Sequence, residues 1–177
     1  MILYWSMTGN SEAVAERLGE CLGDEIYSCA DLAEKKSGGE FKSEKPWVFV
    51  CPTHAWRIPR VFESVIRLSS LQGCRDAYFV MTCGGDIGNA ERYLKALCRD
   101  KMLNYRGVYS IRIEGTCEAA PPETEEAANV MRRSGSFPKT KVTPGGWLKS
   151  GIVNEGFGLV ANRMYAGMAK QKEDQHV

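Results

Sequence analysis

No apolar run in this chain approaches the roughly 18 residues that a membrane-spanning helix needs. Neither sign of charge dominates, with 23 Lys plus Arg against 22 Asp plus Glu. The excess basic field that would hold nucleic acid or anionic lipid is therefore missing, so neither nucleic acid nor a membrane is expected as a partner. Cysteines number seven (Cys21, Cys29, Cys51, Cys74, Cys83, Cys98 and Cys117), but they are scattered, form no C-x-x-C and have only His54 near them in sequence. Zinc sites and iron–sulfur clusters draw on clustered thiolates, so no metal is expected, and free thiols in a reducing cytoplasm are the default. A basic n-region followed by a long apolar stretch is also missing, and export is not expected. What remains is an ordinary soluble composition, 44% apolar and 25% charged over 177 residues. That suits one domain able to hold a core without disulfides or metal.

The apolar residues fall into alternating strand and helix patterns. Met1–Trp5, Trp47–Cys51 and Ala77–Met81 are continuous apolar runs of strand length, as expected for strands buried on both faces. Val108–Ile113 is a fourth, and a weaker one lies near Glu25–Ser28. Ala13, Val14, Leu18, Cys21 and Leu22 recur at helical spacing up to Gly23, a natural stop. Val61, Phe62, Val65, Ile66 and Leu68 give a second amphipathic helix, and Ala90, Tyr93, Leu94 and Leu97 a third. Such alternation predicts an α/β fold, a doubly wound parallel sheet with helices on both faces. Ligands of such folds bind beyond the carboxyl ends of the strands, where three loops begin at Ser6, Pro52 and Thr82.

The first loop, Ser6-Met7-Thr8-Gly9-Asn10-Ser11, puts three hydroxyls, an amide and a glycine where a strand gives way to a helix. A phosphate dianion suits that place, held by backbone N–H groups, the helix dipole and the hydroxyls. Neither G-x-x-x-x-G-K-[ST] nor G-x-G-x-x-G is present, which leaves a terminal monophosphate. The blander alternative is that Ser11 or Asn10 only caps the helix. In the second loop, Pro52-Thr53-His54-Ala55-Trp56-Arg57-Ile58-Pro59, Trp56 is stiffly held between two prolines. It can offer its face to a planar heterocycle or simply cover the core. His54 reads most simply as a structural or surface residue and Arg57 as a solvated charge. The third loop, Thr82-Cys83-Gly84-Gly85-Asp86-Ile87-Gly88-Asn89, exposes backbone groups suited to the polar edge of a ring. Cys83 has nothing basic beside it and reads as an inert thiol, and Asp86 equally serves as a cap for the helix that follows.

Together the three loops resemble the flavodoxin-like family, and within it the flavodoxin domain of prokaryotic flavodoxin–ferredoxin fusion proteins. The resemblance runs from residue 1 to about residue 113. It implies a five-stranded sheet of order 2-1-3-4-5, for which flavodoxin is itself a standard example, and it implies flavin mononucleotide (FMN) as cofactor. By position, Ser6, Thr8, Gly9, Asn10 and Ser11, with Met7 among them, would hold the phosphate. Pro52, Thr53, His54, Ala55 and Trp56 would flank the isoalloxazine. Thr82, Cys83, Gly84, Gly85 and Asp86 would line its pyrimidine edge and the ribityl chain.

Some residues depart from that pattern. His54 stands where the branch has an aromatic and Arg57 where it has glycine, so the resemblance implies a more cationic flavin environment that favours the anionic reduced flavin. The third loop lacks a stacking aromatic, which leaves one ring face open to a substrate. The ferredoxin half with its C-x-x-C-x-x-C-x-x-x-C-P run does not follow, so a redox partner such as a ferredoxin or other iron–sulfur protein would act in trans. Residues 114–150 read as an irregular insertion or cover around a short helix near Glu123–Arg133, 153–168 as a possible covering helix, and 170–177 as a frayed tail. Three functions remain: an electron carrier between redox partners, an FMN-dependent quinone-type or small-electrophile reductase using NAD(P)H, and a flavodoxin-shaped interaction module without cofactor.

Overall fold

The run 47–51 becomes the central strand because its alternate residues meet two different helical layers. A computed structural model of the chain describes residues 1–133 and 135. In order these form β1 (Ile2–Tyr4), α1 (Asn10–Leu22), β2 (Ile26–Ser28), α2 (Ala30–Glu34), β3 (Glu40–Ser43), β4 (Trp47–Pro52), α3 (Arg60–Leu68), β5 (Ser70–Gly73), β6 (Asp76–Cys83), α4 (Ala90–Asp100), β7 (Asn104–Arg112) and α5 (Glu123–Arg132). The main sheet is parallel throughout and runs β2-β1-β4-β6-β7, which is order 2-1-3-4-5 once its own strands are numbered. The doubly wound α/β fold expected from the sequence is the one observed.

Side chains alternate across a strand, so Phe49 and Cys51 face one side of the sheet while Val48 and Val50 face the other. On the first side Phe49 stacks on Phe79 with centroids 5.1 Å apart and meets Phe62 of α3 edge-on, and Leu94 and Leu97 of α4 complete the layer. On the second side Val48, Val50, Tyr78 and Val80 pack under Val14, Ala15 and Leu18 of α1 and Ala127, Ala128 and Met131 of α5. Helix α1 stops where expected: Gly23 takes a left-handed conformation (φ 56°) and its N–H bonds Gly19 O. The helix near Glu123–Arg133 is α5, tied to α1 by an Arg17–Glu125 ion pair at 2.5 Å. The covering helix expected over 153–168 and the tail 170–177 lie outside the described residues, as does 136–150 of the expected insertion.

Three elements have no counterpart in the periodicity reading: the five-residue α2 and the strands β3 and β5, which pair in parallel as a separate two-stranded sheet. Strand β7 also begins at Asn104 rather than at Val108. Its first half is polar and holds its place through paired groups, with Asn104 N–H on Arg75 O at 2.7 Å and its side-chain amide on Asp76 at 3.0 Å. The register shifts between Ala77, which faces Tyr105, and Tyr78, which faces Gly107, and this bulge at Arg106 breaks the alternation that sequence reading relies on. Strand β6 likewise continues through Thr82 and Cys83, because Thr82 pairs with Pro52 and with Ile111.

Phe49 is fully buried between the two other rings. Phe49→Ala should lower stability by about 3–5 kcal/mol. Urea unfolding with an unchanged m-value checks this, and a loss under about 1 kcal/mol would mean that the aromatic cluster is not a structural centre.

Candidate functional site

Parallel pairing brings the exits of β1, β4 and β6 together. Trp5 N–H bonds Val50 O at 3.0 Å, Thr53 N–H bonds Thr82 O at 2.8 Å, and Ile113 N–H bonds Cys83 O at 2.9 Å. The loops that follow enclose two adjoining clefts. One, of about 330 Å³, is lined by Ser6, Met7, Thr8, Asn10, Ser11, Pro52, Thr53, His54, Thr82, Cys83, Gly84 and Ile113. The other, of about 260 Å³, is lined by Thr53, Ala55, Trp56, Cys83, Gly84 and Asp86. Thr53, Cys83 and Gly84 line both, so the clefts adjoin, and together they make up the groove at this edge of the sheet. Of the sixteen residues expected to hold the cofactor, only Gly9 and Gly85 are not among its lining.

The first loop is organised by its hydroxyls. Ser6 Oγ accepts from Gly9 N–H at 3.1 Å, and the buried Ser11 Oγ shares a 2.8 Å hydrogen bond with Thr82 Oγ1, joining the first loop to the third. Neither Ser11 nor Asn10 caps α1, because the cap position is Gly9 in a left-handed conformation with no side-chain bond. The alternative in which these two side chains serve as helix caps is thus corrected. Asn10 instead reaches the loop after β7, its amide donating to Gly115 O at 2.7 Å and its carbonyl accepting from Cys117 N–H at 2.9 Å.

The second loop is a two-residue hairpin. His54 and Arg57 exchange backbone bonds at 3.0 and 3.1 Å, with Ala55 (φ 47°) and Trp56 (φ 57°) both left-handed between them. Glycine and asparagine suit that turn, and each other residue forced into it costs about 1–2 kcal/mol. Trp56 crosses to the third loop, where a methyl at Gly88 (φ +50°) would lie 2.3 Å from its Cδ1. The His54 ring meets Trp5 edge-on at 5.6 Å, and burial holds its pKa below the usual 6.5. Arg57 is not the solvated charge expected from the sequence, nor does it line either cleft. It is only 8% exposed, hydrogen-bonded to Glu63 and placed 4.1 Å over the Tyr93 ring. Its charge is turned toward α3 and α4 and neutralised there, which removes the basis for a flavin environment made cationic by this residue.

In the third loop Asp86 accepts from Gly88 N–H at 2.7 Å and closes a turn before α4, whose cap position is Asn89. Side chains at Gly84 or Gly85 would begin in open space, with nothing within 4 Å of their Cβ positions. The Cys83 thiol is pushed up by burial and by the Asp86 charge, consistent with an inert thiol. No group of three or more potential metal-ligating side chains occurs among the described residues, and no helix among them is long and apolar enough to cross a membrane. Sequence reading missed Trp5, Gly88 and Ile113 as parts of the site. Gly88 was visible as the last of three loop glycines, but its partner was not.

The flavodoxin family profile matches residues 2–61, about a third of the chain, ending at the start of α3. Among solved structures, a candidate flavoprotein of Bacteroides eggerthii is 19% identical, covers 77% of this chain and 97% of its own, and superposes with a TM-score of 0.54. The fold is flavodoxin-like. The flavodoxin of Streptococcus pneumoniae TIGR4 (16% identity, 75% of this chain and 97% of its own, TM-score 0.48) and the two-electron reduced flavodoxin of Megasphaera elsdenii (17%, 75% and 97%, TM-score 0.47) are more distant likenesses. No curated protein matches this sequence.

The depressed pKa of His54 gives a sign for the pH dependence of stability. Folding holds the ring neutral, so below pH 6.5 the unfolded chain takes up a proton that the folded chain resists. The His54 share of stability is fully present above pH 6.5 and is lost as pH falls toward the folded-state pKa. Urea unfolding of the ligand-free protein at about pH 8 and about pH 5.5 should show a smaller fall for His54→Gln than for the parent, and equal falls would remove His54 from this account.

Proposed function

We propose that the protein binds FMN noncovalently in the groove at the carboxyl edge of the sheet and carries electrons between redox partners. The observation that carries this reading is the groove itself. Its two adjoining clefts extend from a hydroxyl-rich helix N-terminus at Ser6–Ser11 to an aromatic at Trp56 and share Thr53, Cys83 and Gly84 as walls. The match of residues 2–61 to the flavodoxin profile supports the same reading, since that stretch spans the first two loops.

The residues present suit the cofactor. Thr53 Oγ1 is buried, has no protein hydrogen-bond partner and belongs to the residue shared by both clefts, so a polar ligand atom there would relieve an uncompensated burial. Gly84 and Gly85 leave the space that side chains would otherwise fill. Ser6, Thr8 and the first turn of α1 would hold the phosphate by hydroxyls and backbone N–H groups rather than by a cation. Asn10 would act indirectly, by fixing the loop at Gly115–Cys117 over the same end. Thr53, Cys83 and Gly84 would face the polar edge of the ring system, and Trp56 its apolar surface. Bound flavin would supply the capacity to take up and release one or two electrons. The seven free cysteines suit a reducing cytoplasmic setting, with the second redox partner, a ferredoxin or another iron–sulfur protein, acting in trans.

The open space at Gly84 and Gly85 also favours a second reading, an FMN-dependent NAD(P)H:quinone-type or small-electrophile reductase. Oxidation of NADH or NADPH by the flavin-loaded protein alone, with a quinone as acceptor, would put that reading first.

Stripped protein should bind FMN at least about a hundredfold more tightly than riboflavin, since charge-assisted bonds to the phosphate contribute about 1.5–3 kcal/mol each. Equal affinities would show that Ser6–Ser11 is not a phosphate site. Trp56→Ala should weaken FMN binding roughly tenfold, and an unchanged Kd would move the ring elsewhere in the groove.

A further inference from the structure

The turn that carries Trp56 is not one its own residues prefer. Ala55 and Trp56 are both left-handed (φ 47° and 57°), yet neither is the glycine or asparagine for which that geometry is easy. Something outside the turn must favour it, and the next residue has the contacts to do so. The Arg57 guanidinium is anchored on α3 through Glu63 and on α4 through the Tyr93 ring, 4.1 Å away. Glu63 is itself fixed. Arg67 takes its other oxygen at 2.9 and 3.1 Å and bonds Asp100 of α4 at 2.7 Å. On the far side of the turn, the indole of Trp56 sits in the notch at Gly88, where no side chain could stand.

We infer that Arg57 is a positioning residue: its anchorage between Glu63 and Tyr93 holds the 54–57 turn in its left-handed form and so sets Trp56 across the groove between the second and third loops. The inference rests on the flavin reading only for what Trp56 would touch, since the positioning itself belongs to the protein alone. Ordinary buried ion pairs add stability without such consequences. An anchor for a strained turn has a different signature, because removing the strain should make the anchor dispensable. Asparagine at position 55 does that, being favoured at the first central position of such a turn.

The test uses ligand-free full-length protein labelled with 5-fluorotryptophan. The four tryptophans give four fluorine resonances, and Trp56→Phe identifies the one from Trp56. Arg57→Met should shift or broaden that resonance, and Glu63→Gln should move it in the same direction. If the competent turn falls to about one molecule in ten, FMN affinity falls about tenfold with it. Adding Ala55→Asn to Arg57→Met should restore the resonance and bring FMN affinity back to within about threefold of the parent. Should Arg57→Met prove poorly folded, Arg57→Lys keeps the charge but loses the planar contact with Tyr93, and is read in the same way. An unmoved Trp56 resonance with only a lowered unfolding midpoint would reduce Arg57 to a stabilising ion pair and overturn the inference. So would a moved resonance that Ala55→Asn fails to restore. A resonance that moves and is restored in a protein that binds no FMN would sustain the positioning role while removing the flavin reading.

Discussion

Parallel pairing of β4 with β6, each covered on both faces, requires every chain segment leaving the carboxyl edge to return through a helical layer before it can pair again. Six residue pairs of β4 and β6 align from Trp47–Ala77 to Pro52–Thr82. The same registry stacks Phe49 on Phe79 in one layer and sets Val50 beside Val80 in the other. Because the two strands end level, their loops emerge side by side, and β1 adds a third beside them. The groove is therefore a consequence of the sheet, and its residues come from three distant parts of the chain.

Those loops are then locked to one another by specific bonds. Ser11 with Thr82 joins the first loop to the third, Asn10 joins the first to the segment after β7, and Trp56 on Gly88 joins the second to the third. Beneath the second loop the chain Arg57–Glu63–Arg67–Asp100 connects it to α3 and α4. A site on loops is ordinarily loose, and such cross-links hold its shape while leaving Gly84 and Gly85 open.

At the end lined by Ser6–Ser11 the groove offers dipoles rather than cations. No lysine or arginine lies in Ser6–Ser11, and the one arginine of the second loop spends its charge on Glu63. Burial keeps His54 toward its neutral form and Cys83 toward its thiol. Phosphate binding there would depend on helix and backbone N–H groups, whose partial charges are fixed by the fold and need no counter-ion.

Long buried strands could be read directly from the sequence, because an apolar run such as Trp47–Cys51 has one stable destination, the middle of a sheet. Helix α1 and its stop at Gly23 were legible for a similar reason, since spacing and chain reversal are local properties. The three loops could be placed because they follow those strands. Strands β3 and β5 could not, because short polar segments such as Glu40–Ser43 become strands only by meeting Ser70–Gly73, each partner thirty positions further along the chain. Nor could the fate of individual site residues. Ser11 looks like a helix cap until Thr82 arrives beside it, and Arg57 looks like a surface charge until α3 and α4 bring Glu63 and Tyr93 together. Sequence alone determined the long apolar strands, the amphipathic helices and the loops between them, since hydrophobic period and chain stiffness act over a few residues. Only the tertiary structure decided what each polar side chain does, since a hydrogen bond or ion pair is made with whichever partner packing brings within reach.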